Sequence, residues 1–260
     1  MVMGLSKEQF FEVEKELQVG LNKSSGYVKT IQLEGGDIVD CIEIDKQPSL
    51  NHPLLKNHKI QKVEVGTSEG WGYSHGATGV VSVYDLSLTD EQISSANILL
   101  TNGPPEQRNV IMAGWMVAPS IYGDSKPRLF TYWTDTNSHN WVLTVFDDDI
   151  VVGYWPKELF PHLLHGTGYV GFGGLAKEGK DRTSPPMGSG HKPDGYYNRA
   201  TYFKHIRSYT DDLQEVRLSY ELSQEIADDT GCYGLQNDRK ENPLVRDHFL
   251  FGGPGGKCGA

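Results

Sequence analysis

From Gly66 onward the chain alternates apolar and polar residues in short runs punctuated by glycine and proline, the period of strands rather than helices. The alternation predicts strands over 79–86, 109–118, 128–134, 141–146, 150–155, 169–175, 199–209 and 215–220. In the run Ala200 to Arg207 it puts Ala200, Tyr202, Lys204 and Ile206 on one face and Thr201, Phe203, His205 and Arg207 on the other. Pro156 suits an early helical position, so one short helix is predicted over 157–164. Asp147-Asp148-Asp149 lies between WVLTVF and IVVGYW and reads as a hairpin turn rather than a cation site. Many short strands with breakers between them predict an all-β fold, an antiparallel β-sandwich of two stacked sheets.

Before Gly66 the pattern differs. Phe10, Phe11, Val13 and Leu17 recur among Lys and Glu at helical spacing, and predict an amphipathic helix that packs on its own segment. Residues 27–65 follow with a strand-like stretch over 37–44 and an extended, proline-containing run. The boundary is therefore placed between an N-terminal segment, 1–65, and a sandwich domain, 66–260.

Charge and composition narrow the function classes. The 24 basic and 34 acidic residues of the 260 give a formal net charge of -10, which argues against a nucleic-acid or anionic-membrane partner. No apolar run approaches the roughly 18 residues of a membrane span, and the opening MVMGLSKEQFFEVEKELQVG carries no apolar signal-peptide centre. The three cysteines are Cys41, Cys232 and Cys258. A bridge between Cys232 and Cys258 would tie down the glycine-rich tail and leave Cys41 odd; an intracellular chain with three free thiols is the alternative, and spacing does not decide.

Other candidate chemistry reads as structural. His162 and His165 stand three apart but have no third ligand and no HExxH, so no metal is predicted and no cofactor. Ser189, in GSGH, lacks the spacing and context of a nucleophile elbow. The glycines of GGPGGKC lack the Lys-Ser or Lys-Thr of a phosphate loop. Asn22-Lys23-Ser24 is a glycosylation sequon that matters only on the secretory route.

The runs NVIMAGWMVAPSIYGDSKPRLFTYW (109–133) and GYWPKELFPHLLHGTGYVGFGG (153–174), with GDIVDCIEI, KQPSLNHPLLKNH, GATGVVSVYD, MGSGH, ATYFKHI and FLFGGPGGKC, resemble the neprosin family of secreted plant glutamic peptidases. The resemblance covers the chain from about Val13 to its end. It implies a glutamic-peptidase or concanavalin-like sandwich, an N-terminal activation segment, secretion, and cleavage beside proline at acidic pH. It also implies two catalytic glutamates, at the positions held here by Met112 and Gly171. Neither side chain can exchange a proton, and that mechanism needs two carboxyls facing one water. The chain is thus expected to be a pseudoenzyme, in which restoring glutamate at both positions would restore acid cleavage.

Neither nearby acid is expected to substitute. Glu178 is an odd number of residues from Gly171 and so belongs to the opposite strand face, and Glu106 follows Pro104-Pro105 in a loop. The family also carries a longer stretch where only DTNSHN spans 135–140, so the domain is shortened between 134 and 141. What remains is a cleft: Trp115, Tyr132, Trp133, Tyr154 and Trp155 are candidates to stack on an extended proline-containing peptide, against the alternative that they fill the core. Oligomeric state is not fixed by the sequence.

Overall fold

A computed structural model describes the strands 27–32 and 38–42 of the N-terminal part, and residues 60–68, 71–104, 107–133, 141–145, 150–155, 160–238 and 248–258. The chain divides into two compact units, 1–57 and 58–260. In the first, strands β1 (Tyr27–Gln32) and β2 (Ile38–Ile42) form an antiparallel hairpin in which Ile31 pairs with Val39. Cys41 lies on β2. The amphipathic helix expected around Phe10 to Leu17 and the sequon at Asn22 lie outside the described residues.

The second unit is built from two antiparallel sheets. The larger has six strands in the order β13-β3-β10-β5-β6-β7, namely Ser223–Ala227, Ile60–Thr67, Tyr169–Lys177, Ile93–Asn102, Asn109–Val117 and Arg128–Trp133. In the smaller sheet β11 (Thr201–Tyr209) is central: β4 (Gly76–Val81) pairs along one edge, while β15 (His248–Gly252) and β12 (Glu215–Arg217) share the other. Strand β14 (Gly234–Gln236) extends it beyond β15. A separate hairpin joins β8 (Trp141–Val145) to β9 (Ile150–Trp155).

The sheets face one another across an apolar core, as in a sandwich. Val63, Val65, Val170 and Phe172 of the larger sheet join Phe203, Phe249 and Phe251 of the smaller in one buried cluster. The Phe172 and Phe203 rings meet edge to face at 5.7 Å, the geometry that aromatic quadrupoles favour. The last strand, HFLFG, is buried along its whole length. A disulfide joins Cys232 to Cys258 and ties the chain end to the turn before β14.

Four expectations change. The boundary read at 65/66 falls at 57/58, because β3 is an inner strand of the larger sheet, paired with both β10 and β13. The strict alternation along 200–207 fails because a bulge intervenes: His205 takes φ 54° and the register with β4 shifts between Lys204 and Arg207. The extra residue turns both Phe203 and Ile206 inward. The strand read over 79–86 lies instead at Gly76–Val81. Of the helix expected over 157–164, the described part is a 3-10 turn at Pro161–Leu163.

Truncating the ring at the inter-sheet contact tests this packing. Phe203→Ala should cost about 3–5 kcal/mol, the range for a buried aromatic, read as a lower urea midpoint; Ile121→Ala, on an exposed side chain, should change stability by no more than about 0.5 kcal/mol.

Candidate functional site

Strand register decides which side chains share a face, because residues paired across an antiparallel sheet point the same way. Met112 of β6 and Gly171 of β10 both pair with Leu99 of the central strand β5. The row continues to Gly66 of β3 beyond Gly171 and to Tyr132 of β7 beyond Met112. The two positions therefore face the same side, two strand spacings or about 10 Å apart. Phe172 and Ile98, one residue along, belong to the opposite side, which packs on the smaller sheet.

The next row on the site face runs Glu64, Gly173, Asn97 and Gly114. Glu64 is only 3% exposed. Its side chain leans diagonally over Gly171: a methyl group on that glycine would lie 2.5 Å from Glu64 Cδ and 2.6 and 2.8 Å from its oxygens. Tyr169 leans the other way, into the room left by Gly66, and its hydroxyl donates to Glu64 Oε1. Two glycines on adjacent strands thus make space for a phenol and a carboxyl that meet above them, a use of glycine that needs the missing Cβ and no unusual φ.

Lys62, two residues back on β3, places Nζ 2.7 Å from Glu64 Oε1 and 5.6 Å from the centre of the Tyr169 ring. Burial raises the Glu64 carboxyl above its ordinary value and outweighs the lowering by Lys62 and by the Tyr169 hydrogen bond; Asp228 adds a smaller upward push. Burial also raises the Tyr169 phenol, reinforced by the neighbouring Glu64 charge. Asp228 faces this group through its own link to β3, accepting from the Lys62 backbone N–H at 2.8 Å. On the β5 side, Asn97 is buried and its amide donates to Ser95 Oγ at 3.2 Å.

Family models match this chain twice: the neprosin model over residues 90–138 and 134–254, and the neprosin activation peptide model over residues 30–84. The chain belongs to the neprosin family. The neprosin match covers more than half of the chain and comes in two pieces that meet at 134–138, around the DTNSHN run. The activation-peptide match runs through β3 and β4, so it includes two strands of the sandwich unit as well as β2 and the second half of β1.

Of the aromatic residues expected to line a cleft, the three whose side chains are described, Trp115, Tyr154 and Trp155, do not share one face. Trp115 is three residues from Met112 and so on the opposite face of β6; it is 4% exposed, belongs to the core and donates its indole N–H to Ser82 O at 3.0 Å. It is a core residue rather than a cleft residue. Trp155 is likewise buried in the core cluster, whereas Tyr154 beside it is 64% exposed on the β8–β9 hairpin. The β7 backbone at Tyr132 pairs with Met112 and that at Trp133 with Ile111; their side chains lie outside the described residues.

The other chemical candidates occupy structural places. The Ser189 N–H donates to Thr201 Oγ1 at 2.6 Å and its own hydroxyl accepts from the His191 N–H, a side-chain-stabilised turn. His162 gives its backbone N–H to Asn109 Oδ1, which anchors the 3-10 turn. The cluster Asp229, Cys232 and Cys258 is the one group of potential metal ligands among the described residues, and its two sulfurs are consumed by the disulfide. Glu178 follows β10 and pairs with Arg182 at 3.1 Å. The triplet at Asp147 and the loop residue Glu106 lie outside the described residues.

Sequence reasoning missed Glu64. In KVEVG it reads as the solvated face of an alternating strand, and its only signal is the match between a GxG run in β10 and the glycine two residues past Glu64. A carboxyl with a raised folded pKa destabilises the fold when it ionises, so its stabilising contribution is complete below the ordinary value of about 4.3 and is lost as pH climbs through the raised one. The urea midpoint of the wild type should therefore fall relative to that of Glu64→Gln as pH rises from about 4 to 7, and the gap should become pH-independent below about 4; a gap moving the opposite way would reverse the assigned direction.

Proposed function

We propose that this neprosin-family chain is a secreted, catalytically silent relative of the peptidases, one that binds extended proline-containing peptides on the site face of its larger sheet. The observation that carries the reading is the row Gly171, Leu99, Met112: the two positions at which the resemblance implies catalytic glutamates face one another across a single strand, and neither bears a carboxyl. A water held between methionine and glycine lacks the pair of facing carboxyls, one to activate it and one to protonate the departing nitrogen, that the resemblance implies at these two positions. The scaffold that would position those groups is nevertheless intact, with six strands in continuous register.

Secretion is supported by the family and by the Cys232–Cys258 disulfide, which persists in oxidising compartments. Peptide binding is supported by the face itself: the half-buried Tyr169, Leu99 and Met112 offer apolar surface beside the buried polar groups Glu64 and Asn97. Extended peptides suit such a face, since a proline-rich segment is already extended before it binds and loses little entropy.

The test pairs binding with turnover. The folded protein should bind a synthetic proline-rich peptide saturably, bind a scrambled proline-free control at least about tenfold more weakly, a difference of 1.4 kcal/mol, and yield no products by mass spectrometry between about pH 2.5 and 6, the range of ordinary carboxyl pKa values. Cleavage beside proline, or equal binding of both peptides, would overturn the reading.

A further inference from the structure

We propose that Glu64 delivers from β3 the carboxyl that β10 lacks at Gly171, so that the site is half of a carboxyl pair rather than an empty one. The inference deepens the peptide-binding reading and rests on it, because the carboxyl matters only where a peptide lies. Three observations carry it. The Glu64 carboxyl occupies the volume into which a side chain on Gly171 would begin to grow, with Cδ 2.5 Å from the position of the absent Cβ. It is held there by named partners on both sides, Lys62 from its own strand and the Tyr169 hydroxyl from β10. Its strand is fixed by pairing on both edges, with β10 through Gly173 and with β13 through Ile226.

This placement changes what repair of the site requires. A glutamate introduced at Gly171 would not enter a vacancy, since it would meet the Glu64 carboxyl within 3 Å. Overlap of that kind in a packed site destabilises, and two carboxylates in one place repel. Restoring both glutamates therefore requires the Glu64 carboxyl to leave its place between Lys62 and Tyr169. One substitution suffices instead: Met112→Glu sets a new carboxyl across Leu99 from the one that Glu64 already supplies.

In that variant the ionised carboxyl takes a proton from water as the water oxygen bonds to the peptide carbonyl carbon, and the protonated partner gives its proton to the carbonyl oxygen. The carbon–nitrogen bond then breaks as the nitrogen takes the proton from the first carboxyl. The second recovers its own from a hydroxyl of the intermediate, leaving a free acid, a free amine and the pair in its starting state. Burial, which holds the Glu64 carboxyl protonated to higher pH than usual, suits it to the acid role, with Lys62, Tyr169 and Asp228 the charged and titratable groups that face it.

The experiment measures binding and cleavage of the same proline-rich peptide by four variants verified as folded by circular dichroism. Met112→Glu should cleave at least about 100-fold faster than the wild-type background, the lower range for one positioned proton-transfer group. Met112→Glu with Glu64→Gln should bind the peptide and fall back to that background. If the Gln variant does not fold, Glu64→Asp, which draws the carboxyl back by one methylene, takes its place with the same expected fall. Met112→Glu with Gly171→Glu should be less stable than Met112→Glu and no more active.

The proposal is overturned if the Glu64→Gln double variant cleaves as fast as Met112→Glu. It is also overturned if Met112→Glu binds without cleaving, whether or not Met112→Glu with Gly171→Glu and Glu64→Ala cleaves. Loss of peptide binding by the wild type itself would instead strike the peptide-binding reading, so the two failures are distinguishable.

Discussion

The pairing of β3 with β10 is the constraint on which the site depends. Those two strands lie in the larger sheet between β13 and β5, and their register sets Gly66 opposite Gly171 and Glu64 opposite Gly173. A slip of β3 by one residue would turn Glu64 into the sandwich and expose Val63 and Val65, reversing every side chain of that strand. The core prevents this, because Val63, Val65 and Phe172 are fully buried against the aromatic cluster of the smaller sheet. Core packing on one face thus holds the chemistry of the other, and the polar arrangement on the site face needs no contribution of its own to register.

The polar group so held is unusual in its balance. A buried carboxyl with one cation and one phenol as partners is satisfied in its hydrogen bonds, yet its charge remains costly enough that burial governs its proton affinity. The Gly66 and Gly171 positions make this possible by giving up volume rather than by adopting a special backbone.

Much of the architecture was legible from alternation alone, and its failures have physical causes. Strands such as Ile150–Trp155 and Arg128–Trp133 are rich in β-branched and aromatic residues and bounded by breakers, so they stand out. The central strand β5, ISSANILLTN, does not: Ser94, Ser95 and Asn97 are buried in the sheet by their neighbours, and neither alternation nor propensity marks a strand enclosed on both edges. β15 was hidden by the glycines that follow it, and β3 by its place in the activation-peptide-like run. The bulge at His205 was invisible because nothing in ATYFKHI announces a positive φ. At the site, the sequence identified Met112 and Gly171 as positions without acids, but only the cross-strand register brings Glu64 beside the second of them. It is also register that moves Trp115 from cleft to core.

The place of β3 also bears on where the activation-peptide-like run ends. The activation-peptide match extends to residue 84, yet Ile60 to Thr67 is an inner strand, and β13 reaches the sheet solely through it among the described strands. Any form of the chain that keeps the larger sheet whole must therefore keep residues 60–67. Loss of those residues would orphan β13, open the edge of β10 and remove Glu64, so the order of the sheet and the buried carboxyl depend on the same eight-residue strand.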